Sequence, residues 1–398
     1  MFRNKIKQNV LNISLSTVSH FIIDLYPAFI VGIIPLIAAK FNLSIFHVSI
    51  MTATSQISNS ITQPIFGYLS DKNGHRNYMV YGLLSAAIFL SLIAIMPNYF
   101  LILILLFLGN LGVAAFHPPS AAIGAEYRGR KKGFGNSIIA LGGNAGYAVG
   151  SLFFILIIDK IGIHYSPFAM IPGIIVAILL IKPMTEYDKK RKFLIFKLNE
   201  KKEKIEKAKF NKIKIAHISI VWIASLARDT IWIALLTFMP LHFSNLKINI
   251  INISFILLAF GIVGGIGGVF SSYFTDRIKR KTLIQIALIA IIPLIFFTFK
   301  TNNILSIILF ILTGFFLIST VPLGISLSQE IFPKNLSLAS SLVMGFSAGF
   351  AGIIVMFLGK LADKIGIEMT VYFILILPII GFLAMFFLPY FENKKIYN

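Results

Sequence analysis

Three charged side chains of this sequence lie inside long apolar stretches, where a charge is costly. They are Asp24, near the start of the chain, and the adjacent pair Arg228 and Asp229. At the centre of a membrane helix, each such charge costs about 2.5–3.5 kcal/mol. A fold that keeps these charges must supply a water-filled cavity, an ionic partner or a proton on the carboxyl groups. Membrane proteins use the same features to move protons or polar solutes.

Polar neighbours accompany these charges at helical spacing. The two predicted stripes consist of Ser16, Ser19, His20 and Asp24, and of Ser225, Arg228, Asp229 and Trp232. We predict Asp24 as the proton carrier, with His20 as its relay, because an imidazole titrates near neutral pH. Asp229 is a second candidate for proton coupling, and Arg228 is the predicted counter-charge of an anionic solute. A static ion pair between Asp24 and Arg228, or an Asp229 that only neutralises Arg228, fits the same pattern.

His117 stands directly before Pro118 and Pro119 in another apolar stretch. Proline removes a backbone donor and opens a helix locally, which is tolerated where the freed carbonyl groups line a cavity. We therefore predict that His117 contacts the solute or a proton, although an ordinary hydrogen-bonded histidine fits as well. Phe346 is expected to contact an apolar part of the solute. Polar side chains predicted to line the cavity, or else to hold helices together, are Gln56, Asn59, Gln63, Asn110, Asn144 and Tyr147.

The composition argues against a soluble enzyme. Of the 398 residues, 57% are hydrophobic and 13% are charged, and the chain has no cysteine for thiolate metal sites or nucleophiles. The sequence also has no nucleotide-binding loop and no His, Asp or Glu cluster at metal-ligand spacing. We therefore expect no enzymatic activity, no cofactor and no bound metal.

Twelve apolar segments are long enough to cross a bilayer, which takes about 20 residues. They lie near 10–39, 45–69, 77–96, 99–126, 133–158, 167–183, 212–243, 250–274, 281–299, 304–330, 337–359 and 369–391. These segments predict an all-α polytopic membrane protein with twelve transmembrane helices.

The second half of the chain repeats the first. Asp159-Lys160-Ile161-Gly162-Ile163 recurs 204 positions later as Asp363-Lys364-Ile365-Gly366-Ile367. Other pairs at nearly the same offset are Asp24 with Asp229, Asp71 with Asp276, Pro118 with Pro322, and Glu126 with Glu330. Ordered pairs of this kind indicate duplication, and an even number of spans in each copy makes the repeats parallel. We predict a six-helix bundle over 1–183, a basic cytoplasmic linker over 184–211 and a second six-helix bundle over 212–398.

The formal net charge of +21 is explained by this topology. Of the 36 Lys and Arg residues, 29 fall in segments on one predicted side of the membrane and six on the other. Basic residues favour the cytoplasmic side. We therefore predict a multi-pass protein of the inner (plasma) membrane with both termini in the cytoplasm. The expected partners are the lipid bilayer, protons and a small solute, without nucleic acid, and the protein is expected to be a monomer.

The segment Gly67-Tyr68-Leu69-Ser70-Asp71-Lys72-Asn73-Gly74-His75-Arg76 resembles the signature loop of the major facilitator superfamily, Gly-x-Leu-x-Asp-Arg/Lys-x-Gly-x-Arg. A degenerate copy contains Ser272, Asp276, Arg277 and Lys281. This loop is expected to work as a cytoplasmic gate, in which Asp71 pairs with a helix end of the other half and Arg76 meets Glu126. The predicted gate residues are Gly67, Asp71, Arg76, Glu126, Asp276, Arg277 and Glu330.

Within that superfamily the chain is similar to the fosmidomycin resistance family. The residues that carry the similarity are His20, Asp24, Gln63-Pro64, Gly67-Tyr68, Phe116-His117-Pro118, Gly142-Gly143-Asn144, Gln329-Glu330, Gly345-Phe346 and Leu361-Ala362-Asp363. The resemblance implies two six-helix bundles that work by alternating access, and proton-coupled export of a small organic solute. A proton-coupled importer of a small organic acid would use the same parts. The Arg228-Asp229 pair has no evident place in this family pattern.

Glycines in the predicted fifth span also resemble an antiporter motif, Gly-x8-Gly-x3-Gly-Pro-x2-Gly. Gly133, Gly142, Gly146 and Gly150 have the required spacing, but Tyr147 stands where the motif has proline. The same glycines form the small-residue ladder of a close helix contact. The motif is therefore compatible either with an antiporter kink or with close packing alone.

Overall fold

The computed structural model describes residues 2–126, 134–199, 212–275, 277–301, 304–332 and 336–389. These residues form helices and contain no strand, which confirms the all-α class. The helices are α1 Phe2–Leu25, α2 Phe29–Lys40, α3 Ile45–Asn73, α4 Arg76–Leu92, α5 Tyr99–Glu126, α6 Phe134–Lys160, α7 Ile171–Asn199, α8 Lys212–Asn245, α9 Ile250–Phe274, α10 Arg280–Lys300, α11 Ile304–Ile331, α12 Leu336–Ser341, α13 Ser347–Ile365, α14 Ile367–Ile374 and α15 Ile376–Phe386.

Eleven helical stretches within the described residues are long and apolar enough to cross a membrane. They run from Ile13–Lys40 to Ile367–Phe386 and correspond to eleven of the twelve predicted spans. The remaining predicted span is α3, which contains many Ser, Thr, Asn and Gln residues. The protein is thus an all-helical polytopic membrane protein, as predicted.

The first predicted span is broken directly after Asp24. Helix α1 ends at Leu25 and α2 begins at Phe29, with Pro27 in the turn between them. Proline lacks an N–H group and disfavours a helical conformation for the residue before it, so the helix stops here. The Tyr26 hydroxyl fixes the break, because it accepts from the amide of Gly173 (2.8 Å) in α7 and donates to a carbonyl just before that helix. Asp24 therefore lies in the last turn of α1.

The duplicated pentapeptide forms the same turn twice. Gly162, after α6, has φ 112° and ψ 154°, and Gly366, after α13, has φ 84° and ψ 161°. A side chain at a positive φ of this kind is strained, so glycine is required at both positions. The sequence repeat is therefore also a repeat of backbone conformation.

Packing divides the chain into two compact units. Unit 1 comprises Met1–Glu206 and Leu236–Gly261, and unit 2 comprises Lys207–Leu235 and Ile262–Asn398. Within unit 1, α1 packs on α6, and α5 packs on both α3 and α4. Within unit 2, α10 packs on α11 and α15. The bundle boundaries predicted at 183 and 212 stay predictions.

A short part of the second sequence half belongs to unit 1. Thr237 Oγ1 donates to Thr52 Oγ1 over 3.1 Å, which joins the end of α8 to α3. In the middle of α9, a Cβ atom on Gly261 would lie 2.9 Å from the Cβ of Ala148 in α6. The C-terminal end of α8 and the N-terminal half of α9 thus pack among helices of the first half.

Candidate functional site

Asp24 lies between two imidazoles in unit 1. Its Oδ2 is 3.2 Å from His20 Nε2 on the same helix, and its Oδ1 is 3.3 Å from His117 Nε2 on α5. The two histidine rings meet edge to face, with centroids 5.1 Å apart. Side-chain exposures of 16–23% leave all three groups partly accessible. The structure thus brings together the three residues that the sequence suggested for proton transfer in this half.

The ligand atoms of His20, Asp24 and His117 all lie within 4.8 Å of one another, a spacing that a metal ion also tolerates. The linear sequence contained no such cluster, because His117 comes from a different helix. Each carboxylate oxygen of Asp24 faces its own imidazole nitrogen at hydrogen-bond distance. We therefore interpret the cluster as a hydrogen-bonded carboxylate that can exchange protons with either histidine.

Glycines of α6 determine how closely this helix approaches the cluster. Gly142, Gly146 and Gly150 lie against the backbone carbonyl groups of α1, where a Cβ atom would have no room. Gly143 faces the cluster itself, since a Cβ atom there would lie 2.8 Å from His20 Nε2. The close-packing interpretation of the glycine ladder matches this geometry. The antiporter interpretation stays a prediction, and Gly133 lies outside the described residues.

In unit 2, Arg228 and Asp229 form a buried ion pair with exposures of 5% and 9%. The Nε and Nη2 atoms of Arg228 lie 2.8 and 2.7 Å from Asp229 Oδ1. Nη2 also donates to the Val343 carbonyl over 3.2 Å, and the Ser347 hydroxyl lies 2.5 Å from Asp229 Oδ2. Asp229 therefore pairs with Arg228, and the simpler interpretation that it only neutralises Arg228 stays a prediction.

Val343 belongs to a π-helical turn, Leu342–Phe346, between α12 and α13. A π-turn inserts an extra residue into the hydrogen-bonding pattern of a helix, and such turns are frequent at functional sites. The Val343 carbonyl accepts from Arg228 Nη2 and lies 2.8 Å from the Ser347 hydroxyl. The buried ion pair is thus anchored to an irregular turn of the neighbouring helix segment.

The other predicted cavity residues differ in their burial and in their hydrogen bonds. Asn110 is buried, and its amide donates to the Leu106 carbonyl of its own helix (2.9 Å). Gln63 donates to Asn59 Oδ1 one turn earlier (3.1 Å), so this part of the predicted stripe is bonded internally. The remaining polar candidates are Gln56, Tyr147 and Trp232, which are partly exposed, and Asn144, which is exposed.

Phe346 is the aromatic candidate that forms a defined cluster. Its side chain is 44% exposed, and its ring centroid lies 4.8 Å from that of Phe350 and 6.0 Å from that of Trp222. The three rings form an apolar surface at the end of the π-turn. Such a surface suits an apolar portion of a solute.

Asp71 has a partner that the sequence did not predict, and its predicted contact with the other half stays a prediction. Asp71 Oδ1 lies 2.9 Å from Arg191 Nη2, on α7 of the same sequence half, rather than at a helix end of the other half. The reason is that α7 continues beyond residue 183 as a helix and brings Arg191 to the loop. Gly67 lies against Pro118, 3.5 Å from the position of a Cβ atom, as expected for a close approach of helices.

The backbone of the loop is held by a second acidic residue of α7. The amides of His75 and Arg76 donate to the carboxylate of Asp188 over 2.8 and 3.0 Å, which satisfies the free N–H groups at the start of α4. The His75 ring is buried and stacks on Tyr187. Burial, with the nearby charge of Arg191, lowers the pKa of His75, so its imidazole is neutral near neutral pH.

The remaining gate predictions concern the second copy of the loop. Glu330 pairs with Arg280, and Arg277 is exposed. Asp276 and the side chain of Glu126 lie outside the described residues, so the predicted contact of Glu126 with Arg76 stays a prediction. Arg280 and Glu330 stand 204 positions after Arg76 and Glu126, so the repeat could have predicted the Arg280–Glu330 pair.

Loss of the Asp188 carboxylate is expected to destabilise the loop. In Asp188→Ala the two N–H groups at the start of α4 lose their acceptors, and loss of such a cap costs about 1 kcal/mol. The thermal midpoint of the purified protein in detergent should fall accordingly. Asp159→Ala is the matched control, because Asp159 is 36% exposed and, within the described residues, forms its ion pair with the neighbouring Lys160 at 3.3 Å. Equal midpoints for both variants would contradict the capping role.

Comparison with known proteins agrees with this architecture. The sequence profile of the Major Facilitator Superfamily matches residues 16–342. The chain is 25% identical over 374 residues to the fosmidomycin resistance protein of Escherichia coli (strain K12), covering 93% of this chain and 91% of that protein.

Two solved structures show the same fold. The inward-open xylose transporter XylE from E. coli has a TM-score of 0.75 at 14% identity, with coverage of 97% of this chain and 98% of that one. A bacterial homolog of the human lysosomal transporter Spinster, inward-facing and occupied, has a TM-score of 0.73 at 12% identity, with coverage of 94% and 95%.

Proposed function

Because this chain belongs to the major facilitator superfamily of membrane transporters, we propose that it exports a small organic solute in exchange for protons. The observation that carries the proposal is the carboxylate of Asp24 between two imidazoles in the middle of an apolar span. A group that can gain and lose a proton, in a site partly open to solvent, is what proton-driven transport requires.

Asp24 is the proposed proton carrier because protonation changes its contacts on two helices. As a carboxylate it accepts from His20 on α1 and from His117 on α5. A proton on either oxygen removes one acceptor and adds a donor, so one of the two imidazole contacts must change. Proton binding therefore alters the link between α1 and α5, which supplies a route from protonation to helix movement.

The solute is proposed to interact with unit 2. Arg228 supplies a positive group for an anionic part, and the cluster of Phe346, Phe350 and Trp222 supplies an apolar surface. Export rather than import is favoured by the similarity to a fosmidomycin resistance protein, because a resistance protein removes its antibiotic. The proposal places the protein in the inner membrane as a monomer, with both termini in the cytoplasm.

The direction of coupling can be tested in proteoliposomes with radiolabelled fosmidomycin as the first probe. In exchange with protons, an acidic lumen drives accumulation of the probe, whereas in cotransport an acidic exterior does so. This sign does not depend on the orientation of the reconstituted protein. We expect accumulation with an acidic lumen only. Accumulation with an acidic exterior would instead support the importer, and equal uptake in protein-free liposomes would remove fosmidomycin as a substrate.

A further inference from the structure

We propose that Arg228 and Asp229 form an anion site in which Asp229 takes up a proton when the anion binds. This inference rests on the proposed role of Arg228 in binding the solute. The ligand is a compound with a singly charged oxyanion group, such as a carboxylate, sulfonate or monoanionic phosphonate. The proton taken up at Asp229 is distinct from the one assigned to Asp24, and it leaves together with the anion. A pH gradient therefore drives export only where the cluster of His20, Asp24 and His117 returns more than one proton for each solute.

One nitrogen of the Arg228 guanidinium group, Nη1, is available to bind a ligand. Its Nε and Nη2 atoms are engaged by Asp229 and by the Val343 carbonyl, whereas Nη1 has no acceptor among the described residues. Nη1 is also not among the buried polar atoms that lack a hydrogen-bond partner, so it keeps some exposure to solvent. A Cβ atom on Gly324 of α11 would lie 3.9 Å from Nη1, so the glycine leaves room there. A ligand oxygen can therefore reach Nη1 from the side of Gly324.

The charges of the pair make proton uptake necessary. Arg228 and Asp229 cancel each other, so an anion that enters beside them leaves one uncompensated negative charge in a buried place. An unpaired buried charge is strongly unfavourable, and the group usually neutralises instead. A proton on Asp229 restores neutrality and leaves the positive charge of Arg228 to the ligand. Anion binding and proton uptake should therefore favour each other, as linked equilibria must.

The contacts of Ser347 already suit a protonated Asp229. The single hydroxyl hydrogen of Ser347 faces two acceptors, Asp229 Oδ2 at 2.5 Å and the Val343 carbonyl at 2.8 Å, and it can bond fully to only one of them. A protonated Asp229 can donate to the Ser347 oxygen while Ser347 donates to Val343. Both short contacts are then hydrogen bonds, and Arg228 keeps its contact with the Val343 carbonyl.

No other charged group competes for this proton within the described part of unit 2. The charged group in contact with Asp229 is Arg228, and the π-turn adds the Ser347 hydroxyl and the Val343 carbonyl. Helix α11 contributes Gly324, and α15 contributes Gly381, which lies against Ala224 and Ala227 of α8. The proton is therefore assigned to Asp229.

Methanesulfonate is the probe for the test, because it stays singly charged across the accessible pH range. Its affinity for the purified protein is measured by thermal shift at several pH values, without any gradient. For the wild type, affinity should fall about tenfold for each unit of rising pH, the slope given by uptake of one proton. In Asp229→Asn, which keeps the size of the side chain, affinity should not depend on pH. In the double variant Arg228→Gln/Asp229→Asn, which leaves no unpaired charge, binding should be lost.

Asp24→Asn separates this inference from the proposed function. If the pH dependence of binding disappears in Asp24→Asn and persists in Asp229→Asn, the inference is overturned and Asp24 carries the only coupled proton. The inference would also be overturned if the wild type and the double variant bound methanesulfonate with equal affinity. If Asp229→Asn does not fold, proton uptake on addition of methanesulfonate is measured in a pH-stat with unbuffered Asp24→Asn protein, in which Asp24 cannot take up a proton. Uptake of about one proton per bound anion supports the inference, and no uptake refutes it.

Discussion

Asp24→Asn is expected to abolish proton-driven accumulation of solute in proteoliposomes. Asparagine has nearly the size of aspartate and can still contact His20 and His117, but it cannot bind or release a proton at accessible pH. An acidic lumen should therefore no longer drive accumulation of the solute. Exchange of labelled for unlabelled solute at equal pH needs no net proton movement, so it should persist.

The persistence of exchange distinguishes a coupling defect from misfolding. Asp159→Asn serves as the control for substitution of an acidic residue, because Asp159 lies at the end of α6 and outside the cluster. It should accumulate solute as the wild type does. If Asp24→Asn still accumulates solute against its gradient when the lumen is acidic, Asp24 is not the carrier. Loss of both accumulation and exchange would show instead that the residue is needed for binding or folding.

Gly146→Ala is expected to have the largest effect on stability. A Cβ atom at this position would lie 2.8 Å from the carbonyl carbon and 3.0 Å from the Cα of Phe21, both rigid backbone atoms of α1. Forcing an extra methyl group into packed structure costs about 1–3 kcal/mol. The thermal midpoint in detergent should fall clearly. Because α1 carries His20 and Asp24, the displaced helix should also reduce the rate of proton-driven uptake.

Gly265→Ala is the matched control for this substitution. A Cβ atom on Gly265, also in the middle of a helix, would have no neighbour within 4 Å. Alanine is the better helix former by about 1 kcal/mol, so this variant should be as stable as the wild type or more stable. If Gly146→Ala were equally well tolerated, the close contact between α6 and α1 would not be essential.

Much of the fold follows from local pattern in the sequence. The apolar segments predicted the helices, and the repeated pentapeptide predicted a repeated element, which proved to be the turn at Gly162 and Gly366. The break after Asp24 was not predicted, although Pro27 marks it. A single proline within an apolar stretch does not by itself reveal whether a helix bends or stops, because the answer depends on neighbours such as the α7 groups that hold Tyr26.

The candidate site was predictable only where its parts share a helix. His20 and Asp24 stand one turn apart, so periodicity places them together. His117 comes from α5, and only packing shows that its nitrogen meets the second oxygen of Asp24. Ser347 and Asp188 gave no signal, because one serine or aspartate among many has no pattern that announces its partner. The pairing of Asp71 with Arg191 was not predicted, because the length of α7 beyond the membrane could not be read from its charged residues.

The depth of Asp24 has an electrical consequence. Asp24 lies near the middle of the predicted span 10–39, so a proton on this proposed carrier would have crossed roughly half of the membrane. Moving one elementary charge across the whole membrane is worth about 2.3 kcal/mol for each 100 mV of potential. If protons reach Asp24 from one side of the membrane and leave to the other, proton entry and proton release each cross a similar share of the membrane potential. Neither proton entry nor proton release would then be independent of membrane potential, and occupancy of the Asp24 site would change with voltage even without solute.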